Sequence, residues 1–255
     1  MTIGISPRTW LIDIGNSTIS FCEKINQSIS TPTVIPTSEV QNQFKILPFN
    51  EADRLIIASV VPQVNHLFRI FPNTFFLNAS TTPEIKIGIP TPSELGADRI
   101  ANALGAYKRF HKDCIIIDSG TALTFCYIDK HGTYIGGAIL PGLGIATKAL
   151  HQFTAQIPDI PVAKQQHALG TSTHQAVQSG LYFGYYHLIS GLMTEYKRIA
   201  PDSTIIGTGS GLELYTDTIT FDHFIPMLIF EGLSFFETTC PRNHPVSRSS
   251  SDATP

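Results

Sequence analysis

The sequence predicts an α/β protein of two lobes, in which each lobe is a mixed β-sheet flanked by helices and a cleft separates the lobes. One reason is that apolar runs of strand length alternate with segments whose apolar residues recur at helical spacing. The other is an internal repeat, because residues 12–16 and 117–121 share the pattern Ile-Asp-x-Gly followed by Asn or Thr. Each copy ends an apolar run and leads into a second run that contains Phe-Cys. Two homologous lobes are therefore expected.

The composition is typical of a protein with a substantial core and small-molecule partners. The 255 residues suffice for one large domain or two modest ones, and 42% of them are hydrophobic. Only 15% are charged, the net charge is −3, and Lys and Arg form no run. This argues against nucleic-acid and membrane-surface partners. No apolar run approaches the roughly 20 residues that cross a bilayer.

The N-terminus and the cysteines favour a cytoplasmic protein. Residues 1–10 contain one Arg and no long apolar stretch, so no signal peptide is expected. Cys22, Cys114, Cys126 and Cys240 lack the spacing of a metal site or of a disulfide framework. Free thiols of this kind are usual in a reducing compartment.

The first lobe is predicted to span residues 1–113. Extended apolar patterns on both sides of Gly15-Asn16 predict a β-hairpin at 10–24. A continuous apolar run ended by Pro62 predicts a buried strand at 54–61, with a helix after the proline. A strand at 74–78 and a helix at 96–111, with apolar residues at helical spacing, complete the lobe.

The second lobe is predicted to span residues 114–240. Its predicted elements are a buried strand at 114–120, a hairpin turning at 130–132, a long helix at 173–198, a strand at 203–209 and a closing helix at 226–237. Residues 241–255 are polar and rich in Pro and Ser, and a disordered tail is predicted there.

The repeated motif has the chemistry of a phosphate-binding hairpin. An Asp at the end of a buried strand can hold Mg²⁺ directly or through water. The Gly allows a sharp turn and a close approach of the backbone to a ligand. Small Asn, Ser and Thr residues leave backbone N–H groups free to bind phosphate oxygens. Two such hairpins in matching frames predict a nucleotide site between the lobes.

Seven motifs along most of the chain resemble one family. They are DIGNS (13–17), ASVVPQV (58–64), PSELGADRIANALGAY (92–107), DSGTALTF (118–125), GGAILPGLG (136–144), TSTHQAVQSG (171–180) and PMLIFEGL (226–233). In this order they resemble the type III pantothenate kinases, also called the Bvg accessory factor family. That family belongs to the superfamily of acetate kinase, sugar kinases, Hsp70 and actin. The resemblance implies two ribonuclease H-like lobes, the actin-like ATPase fold.

The resemblance also implies a reaction and the residues that carry it. The reaction is transfer of the γ-phosphoryl group of ATP to the primary hydroxyl of pantothenate, the first step of coenzyme A biosynthesis. Asp98 matches the proton acceptor of the family. The implied ATP-binding residues are Asp13, Ile14, Gly15, Asn16, Ser17, Thr18, Ile19, Ser20 and Thr121. The implied substrate-binding residues are Gly96, Ala97, Asp98, Arg99 and Thr173.

Further partners follow from the same resemblance. Asp13 would organise magnesium, and Asp118 would bind a monovalent cation, potassium or ammonium. The active unit would be a homodimer with the substrate at the subunit boundary. The long apolar helix at 173–198 independently favours a partner subunit, because its apolar residues cover much of its circumference.

Three positions depart from the family pattern. Cys126 stands where the family usually has an Asp after its Thr-Phe. A late loop that is usually Thr-Gly-Gly reads Thr208-Gly209-Ser210, and residues 86–89 lack the aromatic that commonly lies near the substrate. These departures bear on adenosine affinity and substrate fit.

Two other functions stay open on the sequence. A phosphohydrolase of the same superfamily, acting on polyphosphate or a nucleotide, would keep both hairpins and leave Gly96–Arg99 without a clear purpose. A non-catalytic ATP-binding regulator would be expected to lose Asp13, Asp98 or Asp118, and all three are present.

Overall fold

The computed structural model of the chain describes residues 6–82 and 84–241. The strands are β1 (Thr9–Ile14), β2 (Thr18–Ile25), β3 (Ser28–Ile29), β4 (Thr33–Pro36), β5 (Arg54–Ser59), β6 (Asn73–Leu77), β7 (Lys86–Ile87), β8 (Cys114–Ser119), β9 (Ala122–Ile128), β10 (Thr133–Pro141), β11 (Thr204–Thr208) and β12 (His223–Phe224). The α-helices are α1 (Val40–Gln43), α2 (Asn65–Phe68), α3 (Ala97–Phe110), α4 (Leu143–Phe153), α5 (Thr173–Ile199) and α6 (Leu228–Thr239). None of the described helices has the length and apolar character of a membrane span.

The two sheets are built on the same plan. In the first, β1 pairs antiparallel with β2 and parallel with β5, and β5 pairs parallel with β6. In the second, β8 pairs antiparallel with β9 and parallel with β11. Each sheet is thus mixed and centred on a strand that carries one copy of the repeated motif. The prediction of two related sheets flanked by helices is confirmed.

The central strands are apolar because both of their faces are covered. Leu11 is fully buried in a cluster with α3 and α6, whereas Ile12 and Ile14 are fully buried on the opposite face. Side chains alternate across a strand, so burial of consecutive residues requires a layer on each face. This packing fixes where each strand ends, and Asp13 and Asp118 lie close to those ends.

Helices α3 and α6 pack against each other between the two sheets. They approach closely at Gly105 and Gly232, where a Cβ on Gly105 would lie 2.7 Å from the Leu228 carbonyl oxygen. Ala101, whose backbone meets Gly232, is fully buried at the same contact. The pair therefore forms a tightly packed layer shared by both sheets.

Two elements cross the predicted boundary at residue 113. Strand β7 lies in the first half of the chain but pairs with β10 of the second sheet. Helix α6 comes last in the chain but packs on β1 and β5 of the first sheet. The boundary itself stays a prediction. The predicted tail at 241–255 lies, apart from Pro241, outside the described residues.

Candidate active site

The first motif forms the tight turn between β1 and β2. The Gly15 N–H donates to the Thr18 carbonyl oxygen at 2.9 Å, and the Gly15 carbonyl accepts from the Thr37 hydroxyl at 2.7 Å. Asn16, Ser17 and Thr18 are exposed at the tip. By contrast, the side chains of Ile14 and Ile19 are fully buried. These two residues can therefore contact a nucleotide only through their backbone, while Ser20 is half-buried on β2.

The second motif forms the matching turn between β8 and β9, and the two turns meet. The Ser17 and Thr121 hydroxyl oxygens are 2.9 Å apart and share a hydrogen bond. Gly142 packs against the second turn, and its N–H donates to the Thr121 carbonyl oxygen at 3.1 Å. The site thus presents exposed hydroxyls from both sheets at one point.

Gly96–Arg99 lie at the start of α3, beside both turns. Gly96 is the extended residue before the helix, and a Cβ there would come within 2.5 Å of an Asp98 carboxylate oxygen. Asp98 accepts a hydrogen bond from the Arg99 backbone N–H at 2.7 Å. Ala97 is buried against the core, whereas Asp98 and Arg99 are half-exposed. An acidic side chain in the first turn also interacts favourably with the helix dipole.

Three carboxylates are electrostatically coupled at this point. Burial, together with the negative charges of Asp98 and Asp118, raises the pKa of the Asp13 carboxyl to about 8. Burial and the charge of Asp98 raise the pKa of the Asp118 carboxyl to about 6, while a hydrogen bond from Asn102 opposes this. The predicted base and both predicted cation ligands therefore face one another, and positive charge there would be favourable.

Asn102 belongs to this site although sequence reasoning did not single it out. Its Nδ2 donates to Asp118 Oδ2 at 2.8 Å, and only 2% of the residue is exposed. Its Oδ1 is buried without a hydrogen-bond partner. The available signal was a polar residue on the buried face of a helix, four positions after Asp98.

Gly209 makes room for Asp118 at the late loop. It has φ +84°, which favours glycine, and a Cβ there would collide with an Asp118 carboxylate oxygen and lie 2.6 Å from the Ser119 carbonyl. Beside this loop a cavity of about 480 Å³ is lined by residues that include Leu143, Thr147, Lys148, Asp159, Ser210 and Leu214. This volume is within the range of small-ligand pockets.

Cys126 and Tyr134 form a buried pair next to the carboxylates. The Tyr134 hydroxyl donates to Cys126 Sγ at 3.3 Å. Burial, aided by the charges of Asp118 and Asp98, raises the pKa of the Cys126 thiol to about 11, although the Tyr134 hydrogen bond and Arg99 oppose the rise. Position 126 therefore carries no charge at neutral pH and adds no fourth negative charge to the site.

Among the described residues, no hydrogen bond joins Thr173 to this cluster. It is the first residue of α5, and its side chain is exposed. Ser172 caps the helix by accepting from the Gln175 N–H at 3.2 Å. The structure brings together the residues at 13–20, 96–99, 118 and 121, while Thr173 presents its hydroxyl to solvent.

The oxygen donors of this site suit two kinds of cation, magnesium and a monovalent cation. In the described parts of the chain no three His, Cys, Asp or Glu side chains are grouped closely enough to hold a metal ion. Magnesium typically takes one or two carboxylates and completes its shell with substrate phosphates and water, which Asp13 beside an open turn can satisfy. A monovalent cation suits carboxylate and amide oxygens. Asp118 and the unpaired Asn102 Oδ1 are such donors.

The raised carboxyl pKa values predict an unusual pH dependence of stability. An acid whose pKa is higher in the folded than in the unfolded state stabilises the fold while protonated, and this stability is lost as pH rises through the folded pKa. For Asp13 that window runs from about pH 4 to about pH 8. We expect the melting temperature of the ligand-free protein to fall across this window. Asp13→Asn should flatten the profile and melt higher than the parent at pH 8 in a thermal unfolding series.

Asp53 provides the control for that series. Burial pushes its pKa up, but hydrogen bonds from the Arg8 and Asn50 backbones and from Trp10 hold it below its usual value. Its stabilisation is lost only in acid, so Asp53→Asn should lower the melting temperature throughout the Asp13 window. An Asp13→Asn variant with the parent slope would contradict the raised pKa.

Comparison with known proteins identifies the family. The type III pantothenate kinase family model matches residues 10–195. The chain is 35% identical to a type III pantothenate kinase of Exiguobacterium sibiricum, over 88% of this chain and 96% of the relative. It is 33% identical to that of Geotalea uraniireducens, over 88% and 95%.

Solved structures agree on the fold. A Campylobacter jejuni protein described as a Baf family transcriptional activator aligns with a TM-score of 0.63 at 20% identity, over 90% of this chain and 97% of that one. MreB5 of Spiroplasma citri bound to AMPPNP aligns with a TM-score of 0.51 at 10% identity, over 92% and 97%. Such identities support the fold alone, which is that of actin-like ATPases and sugar kinases. The family model over residues 10–195 and relatives about 35% identical over most of the chain establish that this chain belongs to the type III pantothenate kinase family.

Proposed function

We propose that this chain transfers the γ-phosphoryl group of ATP to the primary hydroxyl of pantothenate, which gives 4′-phosphopantothenate, the first intermediate of coenzyme A biosynthesis. The observation that carries the proposal is the meeting of both phosphate-binding turns with the start of α3. Ser17 and Thr121 join the turns, and Asp13, Asp98 and Asp118 are coupled beside them. A kinase needs a phosphate cradle, a base and cation ligands at one point.

Asp98 is suited to be the base. In the reaction the substrate hydroxyl oxygen forms a bond to the γ-phosphorus, the bond from that phosphorus to the bridging oxygen breaks, and ADP leaves. The hydroxyl proton passes to Asp98, whose carboxylate is half-exposed at the helix start. Because the transition state is loose, the rest of the chain mainly positions groups and balances charge. Arg99 supplies a positive charge that suits the substrate carboxylate.

The two turns and the late loop can accommodate ATP. Exposed backbone and hydroxyl groups at Asn16–Thr18 and at Thr121 suit the phosphates. The 480 Å³ cavity beside Ser210 and Leu214 has the size for the nucleoside. Magnesium held by Asp13 and the phosphates would neutralise charge on the transferring group. Asp118 would hold the monovalent cation near the same phosphates.

A coupled ADP-release assay tests the proposed function. We expect ATP turnover only when pantothenate is present, with a phosphorylated product of one added phosphate by mass spectrometry, and faster turnover with potassium than with a bulky organic cation. Turnover without any alcohol acceptor would instead favour a phosphohydrolase. ATP binding without turnover under any of these conditions would favour a regulator.

The active unit that we propose is a homodimer formed through α4 and α5. Only Ser179, Tyr182 and Ile189 of α5 are buried, although the helix is apolar around much of its circumference. On α4, Ile145 is 42% and Phe153 is 81% exposed. Half-exposed apolar side chains on α5 beside exposed ones on α4 suit an interface with a second copy of the chain. Thr173, exposed at the start of α5, would then contact substrate held by Asp98 and Arg99 of the other chain.

Mixed dimers test the shared site. Asp98→Asn and Thr173→Ala chains should each be nearly inactive alone. Co-refolded in equal amounts, they should recover up to about a quarter of the unmodified activity, because about half of the dimers are mixed and each has one intact site. The measurement is the steady-state rate against mixing ratio.

In the control, each variant is refolded alone under the same conditions, so that only dimers of two identical variant chains form. Subunit exchange is verified with differently tagged chains. No recovery in verified mixed dimers would mean that Asp98 and Thr173 act within one chain. Near-normal activity of Thr173→Ala alone would mean that Thr173 has no part in the site.

We also propose a cytoplasmic location. The four cysteines are free and buried in the described part of the chain, as expected of a protein that folds under reducing conditions. Fractionation of cells that express the protein is the test, with recovery in the membrane or secreted fraction as the contrary result.

A further inference from the structure

Asn102 carries a buried acceptor that the protein leaves without a partner. The side chain lies on α3, one helical turn after Asp98, and faces the second sheet. Only 2% of the residue is exposed, and Oδ1 has no hydrogen-bond partner. Leaving a buried polar atom unpaired typically costs about 1–3 kcal/mol. A persistent orphan of this kind at a functional site indicates a group that the bound state supplies.

The orientation of the Asn102 amide is determined by its neighbour. Nδ2 donates to Asp118 Oδ2 at 2.8 Å. If the amide were flipped, Oδ1 would face an ionised carboxylate, and two acceptors at that distance repel. The oxygen is therefore the free atom of the amide, and it lies beside Asp118 within the carboxylate cluster.

The chemistry around this oxygen favours a cation as its partner. The Asp118 carboxylate is 2.8 Å from the nitrogen of the same amide, and Asp98 lies one turn earlier on α3. An anion or another acceptor would add to the repulsion, whereas a cation is attracted by every one of these groups. Hard cations bind carboxylate and neutral carbonyl oxygens together.

We propose that Asn102 Oδ1 is itself a ligand of the monovalent cation, alongside Asp118, and that Asn102 does more than hold Asp118 in place. This inference rests on the cation of the proposed function. Because Asp98 and Asn102 share α3, the proposed ligand would tie the position of the base to occupancy of the cation site. The ligand class is a weakly hydrated monovalent cation such as potassium or ammonium.

Two substitutions distinguish Asn102 as a cation ligand from Asn102 as a residue that only positions Asp118. Asn102→Leu removes both the oxygen and the N–H. Asn102→Asp keeps an oxygen at the Oδ1 position in either protonation state. A ligand that binds only the folded state raises the melting temperature once its concentration exceeds its dissociation constant, and the rise then continues with the logarithm of the concentration. We expect potassium chloride, compared with N-methylglucamine chloride, to raise the melting temperatures of the parent and of Asn102→Asp. The apparent affinity of Asn102→Leu for potassium should be at least about tenfold lower than that of the parent.

The control variant and the results that would contradict the proposal use the same measurement, the response of the melting temperature to potassium. The matched control is Asn65→Leu on α2, where Asn65 accepts from the hydroxyl of Ser59 on β5. This variant should respond to potassium as the parent does. If Asn102→Asp loses the response as fully as Asn102→Leu, the N–H alone matters and the inference is wrong. Unchanged potassium affinity of Asn102→Leu also overturns it.

A second experiment uses the unmodified protein, so it tests the proposal even if the Asn102 variants fail to fold. In ¹⁵N-labelled protein the Asn102 side-chain amide signal, assigned by its absence in any folded Asn102 variant or by sequential assignment, should shift on potassium titration. No shift at saturating potassium overturns the proposed ligand. If potassium changes neither the melting temperature nor the NMR signal of the parent protein, the proposed ligand is also overturned. Phosphorylation of pantothenate by the same preparation would still support the proposed kinase reaction.

Discussion

Asp98→Asn should reduce turnover by about 10²- to 10⁴-fold while ATP binding persists, since removal of a general base typically costs that much. Asn is nearly isosteric with Asp and can still accept a hydrogen bond from the Arg99 N–H, which is 2.7 Å from the carboxylate in the parent. The fold should therefore survive, with a small loss from the missing charge in the first turn of α3. The measurements are kcat with pantothenate and the dissociation constant for a non-hydrolysable ATP analogue.

Glu94→Gln is the matched control for that substitution. Glu94 is exposed and lies just before the same helix start, so the change removes a nearby negative charge without touching the proposed base. Its kcat should stay close to that of the parent. A near-normal kcat for Asp98→Asn would mean that another group accepts the proton.

Asp118→Ala should abolish activation by potassium. The carboxylate accepts from Asn102 at 2.8 Å and lies against Gly209, and alanine leaves neither carboxylate oxygen at that position. We expect the residual rate to be the same in potassium chloride and in N-methylglucamine chloride. The measurement is the rate as a function of potassium concentration at saturating ATP and pantothenate.

Asp129→Ala serves as the control in the same sheet. Asp129 Oδ1 accepts from the His131 and Thr133 N–H groups at 2.9 and 2.8 Å and organises the turn between β9 and β10. Its loss should lower stability but leave the potassium dependence intact. A potassium-activated Asp118→Ala enzyme would refute the proposed role of Asp118.

The parts of the fold that the sequence predicted well are those with a strong local signal. The hairpin at 10–24 and the helices at 96–111 and 173–198 correspond to β1–β2, α3 and α5 within a residue or two. Long periodic helices and apolar strands have unambiguous patterns. The closing helix was predicted at 226–237 but spans Leu228–Thr239, and it ends where Pro241 prevents continuation.

The elements that were missed depend on tertiary contacts. Helix α4 was not predicted, because Gly144 and the β-branched Ile145 and Thr147 weaken its helical propensity. Strands β7 and β12 have two residues each and exist only through pairing with distant strands. Local sequence carries little information on such pairs.

For the candidate site, motifs predicted the residue types but not their electrostatics. The coupling of Asp13 to Asp98 and Asp118 depends on how α3 packs between the sheets, which no local pattern encodes. Asn102 was missed for the same reason, since a single Asn within an apolar helix face has no meaning until its partner Asp118 is known. The buried side chains of Ile14 and Ile19 likewise became apparent only from the packing.

The position of α6 has a consequence for the order in which the nascent chain can fold. This helix covers β1 and β5, and Glu237 at its end binds Lys24 and Arg54 of the first sheet at 3.0 Å. During synthesis the first sheet leaves the ribosome long before α6 exists, so α3 is the only helix of this pair that can then cover Leu11 and Ile56. A partly exposed apolar sheet is a target for chaperones. A chain stalled on the ribosome before residue 228 should therefore be more sensitive to protease in its first sheet than the complete protein is.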